Sequence, residues 1–84
     1  MSEEYLPLSE RLLMIMHNLC VTSRNTAKKS KELVQFLQTN VDEINQILNR
    51  HESEGYITSF SDNEEERRYY LTGVGIIRVC SLFT

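Results

Sequence analysis

The chain has 84 residues, 40% of them hydrophobic and 25% charged, with three glycines and one proline; that length holds one compact core, and that composition folds rather than staying disordered. A formal net charge of -3 argues against a general coat for nucleic acid, which needs a basic footprint to neutralise phosphate. The longest apolar run, Leu12 to Met16, is far too short for a bilayer span, and Met1-Ser2-Glu3-Glu4 is acidic where a secretory leader is basic, so one intracellular, cytoplasmic domain with no membrane partner is expected.

Residues 1–7 are expected to form a flexible N-terminus. Ser9 can cap a first helix in which Leu12, Leu13, Ile15, Met16, Leu19 and Cys20 recur at three- and four-residue intervals, giving one broad apolar face. The polar stretch from Thr22 to Lys29 reads as a loop or a short helical turn. Ser30 can then cap a second helix with Leu33, Val34, Phe36 and Leu37 as its buried stripe. A third helix begins with a capping-box-like pair, either Thr39 with Asp42 or Asn40 with Glu43. Val41, Ile44, Ile47, Leu48 and His51 fall on one side of it, and Asp42, Asn45, Gln46, Asn49 and Ser53 on the other.

Gly55 stops that helix in the left-handed manner. Tyr56-Ile57-Thr58-Ser59-Phe60 follows as a strand, Ser61 to Glu66 as a polar turn, and Arg67-Arg68-Tyr69-Tyr70-Leu71 as the returning strand. Thr72 can cap a last short helix in which Val74, Ile76, Ile77, Val79, Cys80, Leu82 and Phe83 leave almost every side apolar. One small domain cannot bury all of that surface, so Ile76, Ile77, Val79, Leu82 and Phe83 are expected to meet a second copy of the chain, with residues 73–84 as the dimerisation helix.

Two stretches resemble a known family. Ile47-Leu48-Asn49-Arg50-His51-Glu52-Ser53-Glu54-Gly55-Tyr56-Ile57 and Arg68-Tyr69-Tyr70-Leu71-Thr72-Gly73-Val74-Gly75 look like the passage from recognition helix to wing in winged helix-turn-helix regulators of the MarR and PadR kind, which include small archaeal and archaeal-virus members. The likeness runs from Ser30 to Gly75. Two positions depart from it: His51 stands where the family usually carries leucine, and Gly73 where it carries a polar residue. The resemblance implies an α+β fold of three helices, a two- or three-stranded β-wing and a short C-terminal helix. It also implies a homodimeric transcription regulator that places its third helix in the major groove of double-stranded DNA and its wing along the minor groove or backbone.

The residues suit that chemistry. The amides of Asn40, Asn45, Gln46 and Asn49 can each offer a donor and an acceptor to the edge of adenine. Lys28, Lys29 and Lys31, at the start of the second helix, can grip phosphate, with Arg50, Arg67 and Arg68 adding backbone contacts. Asp42 and Glu43 are more naturally capping charges than readers of cytosine, and Arg68 has a second reading as a brace for Glu54 or a wing acid. Tyr5, Tyr56, Tyr69 and Tyr70 could stack on bases, although their strand alternation favours packing.

His17, Cys20, His51 and Cys80 are the nominal nucleophiles or ligands. His17 and Cys20 share one side of the first helix, but there is no Cys-x-x-Cys, phosphate loop or nucleophile elbow, so no enzyme, metal or other cofactor is expected. Cys20 and Cys80 are either small buried hydrophobes kept reduced or a disulfide, within one chain or across a dimer, joining the first helix to the last. The alternative function is a winged-helix module that docks proteins and not DNA. An apolar exposed face on the third helix would favour that alternative, and a polar face framed by bases would favour DNA.

Overall fold

The computed structural model describes residues 6–61 and 66–82; Tyr5, Glu64 and Glu65 of the hairpin turn, and Phe83 lie outside the described residues. In chain order the elements are α1 (Leu8–Asn18), a 3-10 turn (Arg24–Thr26), β1 (Lys28–Lys29), α2 (Ser30–Leu33) running into a second 3-10 turn (Val34–Phe36), α3 (Val41–Ser53), β2 (Ile57–Ser61), β3 (Arg67–Leu71) and α4 (Gly73–Ser81). The strands make an antiparallel sheet of order β1-β3-β2. Ile57 pairs with Leu71 and Ser61 with Arg67 across the hairpin, while Lys28 pairs with Tyr69 and Lys29 with Arg68 on its other edge. This is the winged-helix arrangement, with a third strand drawn from the stretch read as loop.

The core takes Leu12, Leu13 and Met16 from α1, Leu33 from α2, Ile44 and Leu48 from α3, Ile57 and Leu71 from the sheet and Val79 from α4. Each such side chain contributes about 1.5–3 kcal/mol by leaving water. Each α-helix and both strands of the hairpin supply at least one of them, so no helix docks without the others.

The same backbone device ends α1 and α3. After α1, Val21 N–H donates to Met16 O at 2.8 Å and Cys20 N–H to His17 O at 3.0 Å, with Cys20 at φ 58. After α3, Tyr56 N–H donates to His51 O at 3.0 Å and Gly55 N–H to Glu52 O at 3.1 Å, with Gly55 at φ 87. Both are Schellman stops, in which one left-handed residue lets two N–H groups close the last turn. Gly55 takes that conformation without strain. Cys20 carries a Cβ into it.

His51 is 3% exposed. Its Nε2 lies 2.9 Å from Ser9 O and its Nδ1 3.4 Å from Glu54 Oε1, and its ring meets Tyr56 edge-on at 5.9 Å. A leucine there would fill the space but could not bond to the first turn of α1. The departure from the family pattern thus joins α3 to α1 by a polar contact within an apolar seam.

Thr72 does more than start α4. Its Oγ1 accepts from Gly75 N–H at 3.0 Å and donates to Gly55 O at 2.7 Å, with Tyr56 O a second acceptor at 3.1 Å, while Thr72 N–H donates to Tyr56 O at 3.0 Å. The turn out of α3 and the turn into α4 are one knot. Gly75 passes so close that a Cβ there would stand 2.0 Å from Tyr56 O.

Several expectations are corrected. Pro7, not Ser9, sits at the N-cap of α1 and contributes only its carbonyl, which accepts from Glu10 and Arg11 N–H. Ser30 is the first residue of α2 and not its cap; Lys29 holds that position, and its N–H is held by Glu32 Oε1 at 3.0 Å. α2 has only four residues, and after the 3-10 turn Leu37 is already extended, so of its expected stripe only Leu33 is wholly buried and Phe36 is 51% exposed. Val41, in the first turn of α3, is also exposed. Cys20 lies beyond α1, and both Cys20 and Cys80 are exposed and free, so they are neither buried packing groups nor an internal disulfide. Val79, assigned to the dimer seam, is wholly buried in the chain's own core.

Two substitutions test these constraints. Gly75→Ala is expected to cost about 3 kcal/mol or more in urea unfolding, because backbone must move, whereas Gly73→Ala, which meets nothing within 4 Å, is expected to be neutral or slightly stabilising. Cys20→Gly is expected to raise stability by about 0.5–1 kcal/mol, the relief of left-handed strain less the added chain entropy; a loss of stability would contradict the reading of this stop.

Candidate nucleic-acid interface

The exposed surface of α3 follows from its pitch. With Ile44, Ile47, Leu48 and His51 buried, the opposite ridge consists of Asp42, Gln46, Asn49 and Ser53, all exposed. One flank, with Asn45 and Glu52, turns toward the wing. The other, with Glu43 and Arg50, turns toward the start of α1. Asn40 caps the helix, its Oδ1 accepting from Glu43 N–H at 2.8 Å, so of the two candidate caps it is Asn40 with Glu43 that forms. Glu43 also meets the Thr39 hydroxyl, which accounts for it as a capping charge. Asp42 remains on the outer ridge.

Between α3, the start of α2 and the wing lies a groove of about 530 Å³, lined by Lys29, Ser30, Lys31, Val41, Asn45, Asn49, Glu66, Arg67 and Tyr69. It gathers five of the sequence-predicted DNA residues: Lys29, Lys31, Asn45, Asn49 and Arg67. Gln46 and Arg50 line a separate shallow hollow with Pro7, Leu8, Ser9, Glu43 and Ile47. Lys28 is half-buried in β1 beside Tyr69. Arg68, also half-buried, comes within 4.0 Å of Glu32 on α2.

Glu66 is the residue that sequence reasoning passed over, having been counted only as part of an acidic turn. One of its oxygens meets Lys29 Nζ at 3.0 Å and the other Lys31 Nζ at 3.1 Å. Hydrogen bonds from Lys29 and then Lys31 hold its carboxyl below the ordinary value of 4.5, against a small opposing effect of burial. A second polar relay fixes the wing to α3. Arg67 Nη1 donates to Ser59 Oγ at 3.0 Å, and Ser59 Oγ donates to Glu52 Oε2 at 2.6 Å. That contact uses one of the five guanidinium donors of Arg67. Tyr69 is buried at the back of the groove, and burial, with the Glu52 charge, pushes its phenol up. No sequence signal marked Glu66 or Ser59, because their partners lie on other elements.

The remaining aromatic and basic groups are used within the fold. Arg24 lies 3.9 Å over the Phe60 ring, and Phe60 tilts against Tyr70 at 6.4 Å, which supports packing over base stacking for these rings. Arg78 pairs with Glu10, tying α4 to α1. Beside that pair, Ile77 is 71% and Val74 56% exposed, while Ile76 and Leu82 are half-buried. Among the described residues no group of His, Cys, Asp and Glu is arranged to hold a metal ion, and no helix is long and apolar enough to cross a membrane.

No family model and no curated protein sequence matches the chain, but solved structures share its fold. TubR from Bacillus megaterium pBM400 superposes with a TM-score of 0.80 at 18% identity, covering 95% of this chain and 89% of that one. MepR, a transcription regulator of the Staphylococcus aureus multidrug efflux pump MepA, gives 0.74 at 16% identity over 89% of this chain and 53% of that one; it has also been solved in complex with DNA. A MarR family transcription regulator gives 0.68 at 23% identity over 94% of this chain and 50% of that one. The chain therefore spans about half the length of these regulators and most of TubR. At these identities the likeness establishes the winged-helix fold.

The Glu66 clamp has a measurable titration. A carboxyl held low by two ammonium groups stabilises the fold above its unfolded value near 4.5 and loses that contribution as pH falls through the lower folded value. The Glu66 carboxyl carbon followed by NMR is expected to titrate below 4.5, and to return toward 4.5 when Lys29 and Lys31 are both replaced by Ala. An unshifted midpoint in the wild type would contradict the clamp.

Proposed function

We propose that this chain binds double-stranded DNA sequence-specifically as an intracellular transcription regulator, with the outer ridge of α3 in the major groove and the wing on the adjacent backbone. The observation that carries the proposal is the groove in which the amides of Asn45 and Asn49 stand beside Lys29, Lys31 and Arg67, with Gln46 exposed on the adjoining ridge of α3. Amides on a protruding helix read base edges, and flanking cations fix the register on phosphate. A net-negative chain suits selective binding, since its positive charge is local. The polar outer ridge argues against protein docking through α3, for which an apolar face would be needed. MepR, which shares the fold, has been solved with DNA, and this adds support.

The same proposal includes a homodimer. Val74 and Ile77 on α4 are exposed apolar groups beside Arg78 of the Arg78 and Glu10 pair, where Glu10 Oε2 and Arg78 Nε are buried without hydrogen-bond partners among the described residues. A second copy packed there would cover the apolar groups. A second functional reading is DNA binding in plasmid segregation. It is favoured by the match over most of the length of two TubR structures, the one from Bacillus megaterium and one described as a type III plasmid segregation TubR, against about half for MepR.

Three measurements test these readings. In a mobility-shift assay against DNA from the source genome, binding is expected to fall steeply with salt, and one site is expected to outcompete the rest; binding without site preference would overturn the regulator. Asn49→Ala or Gln46→Ala should cost about 1–3 kcal/mol on the preferred site and flatten sequence preference, whereas Lys31→Ala should weaken all sequences alike. Sedimentation should give a dimer that Ile77→Glu dissociates, and a wild-type monomer at tens of micromolar would exclude the seam. Deleting the gene separates the two roles: altered transcript levels support regulation, and plasmid loss supports segregation.

A further inference from the structure

The groove already contains an anion. Glu66 presents two oxygens, one to Lys29 and one to Lys31, which is the arrangement in which a phosphodiester would offer its two non-bridging oxygens to the same ammonium groups. The Lys29 side chain is only 15% exposed, but Lys31 at 60% and Glu66 at 44% make an ion pair open to water. Such pairs exchange at little cost. Glu66 is also the residue immediately before β3, at the end of the hairpin turn, so its side chain can swing out without disturbing the strand.

We infer that Glu66 is a built-in competitor for the DNA backbone, occupying the place that a phosphate takes between Lys29 and Lys31 and released to solvent when DNA binds. This rests on the DNA reading above and adds to it a residue that sets affinity without touching a base. Alone, the two lysines present two positive charges to DNA. Glu66 between them cancels one of those charges, and once displaced its carboxylate still repels the incoming strand. The consequence is a chain that holds DNA weakly through charge alone and depends on the α3 amides for its hold on a site. The depressed titration of Glu66 keeps the competitor charged at neutral pH, so salt and DNA displace it, not mild acid.

The test measures fluorescence anisotropy of a labelled mixed-sequence DNA duplex with the full chain over a range of salt concentrations. Glu66→Gln is expected to tighten binding roughly three- to tenfold at low salt, the effect of one exposed and one partly buried ion pair, and to steepen the slope of log K against log salt by about one. Glu66→Lys should tighten it further. The gain from Glu66→Gln should disappear when Lys29 and Lys31 are both Ala. Weaker binding by Glu66→Gln would mean that Glu66 positions the lysines for DNA, and would overturn the inference. Unchanged binding by Glu66→Gln, or an equal gain in the lysine-free chain, would overturn it as well. These outcomes leave the DNA reading standing; failure of every variant to bind the duplex or genomic DNA would overturn both.

Discussion

The hydroxyl of Thr72 holds together two places where the chain must turn sharply. It accepts from Gly75 N–H and donates to Gly55 O, so the exit from α3 and the entry to α4 share one hydrogen-bonded centre. Everything that faces DNA in the proposed function hangs from this centre. α3 is fixed at its C-terminal end, the wing starts and finishes there, and α4 leaves from it toward α1. The lack of a side chain at Gly75 is what permits the close approach to Tyr56 O. In sequence Gly55 and Tyr56 lie sixteen or more residues before Thr72 and Gly75, yet in space they set the angle between α3 and the wing.

This explains which parts of the fold were legible. The stop at Gly55, the cap at Thr72 and the hairpin were readable because each depends on local chemistry: a left-handed glycine, a hydroxyl three residues before a free N–H, and alternating apolar residues. The start of α1 was misread because Ser9 looks like a cap, whereas its carbonyl is the acceptor for His51 from 42 positions away. The stop at Cys20 could not be found by looking for glycine. There the backbone pairs of Val21 and Met16 close the turn, and burial of both side chains compensates for a strained residue. β1 went unseen because two lysines have no strand signature; they are a strand only because β3 offers its free edge.

The site was legible in its cations and amides and opaque in its anions. Lys29, Lys31, Asn45, Asn49 and Arg67 were chosen by residue type, and the sheet and α3 bring them around one groove. Gln46 and Arg50 were chosen by the same logic, yet the helical pitch directs Arg50 to the α1 flank and leaves Gln46 on the ridge between. Glu66, Glu32 and Glu52 have their roles assigned by partners on other elements: Lys29 with Lys31, Lys29 N–H with Arg68 nearby, and Ser59. Sequence shows that a charge is present. It does not show which opposite charge is within reach.

The distribution of these pairs bears on how so small and acidic a chain could bind a polyanion selectively. Arg78 is neutralised by Glu10, while Arg24 rests on Phe60 and one donor of Arg67 is given to Ser59, so these basic groups also serve to orient helices and wing. The cations that remain at the groove are balanced by a carboxylate on an exposed arm. Coulomb attraction alone is then modest and readily screened, so discrimination must come from contacts whose geometry is fixed, namely the amides of α3 held by the Thr72 centre. In the proposed complex, rigidity at one end of α3 and exchangeable charge beside it would be complementary: the first would make base contacts specific, and the second would keep phosphate contacts from overwhelming them.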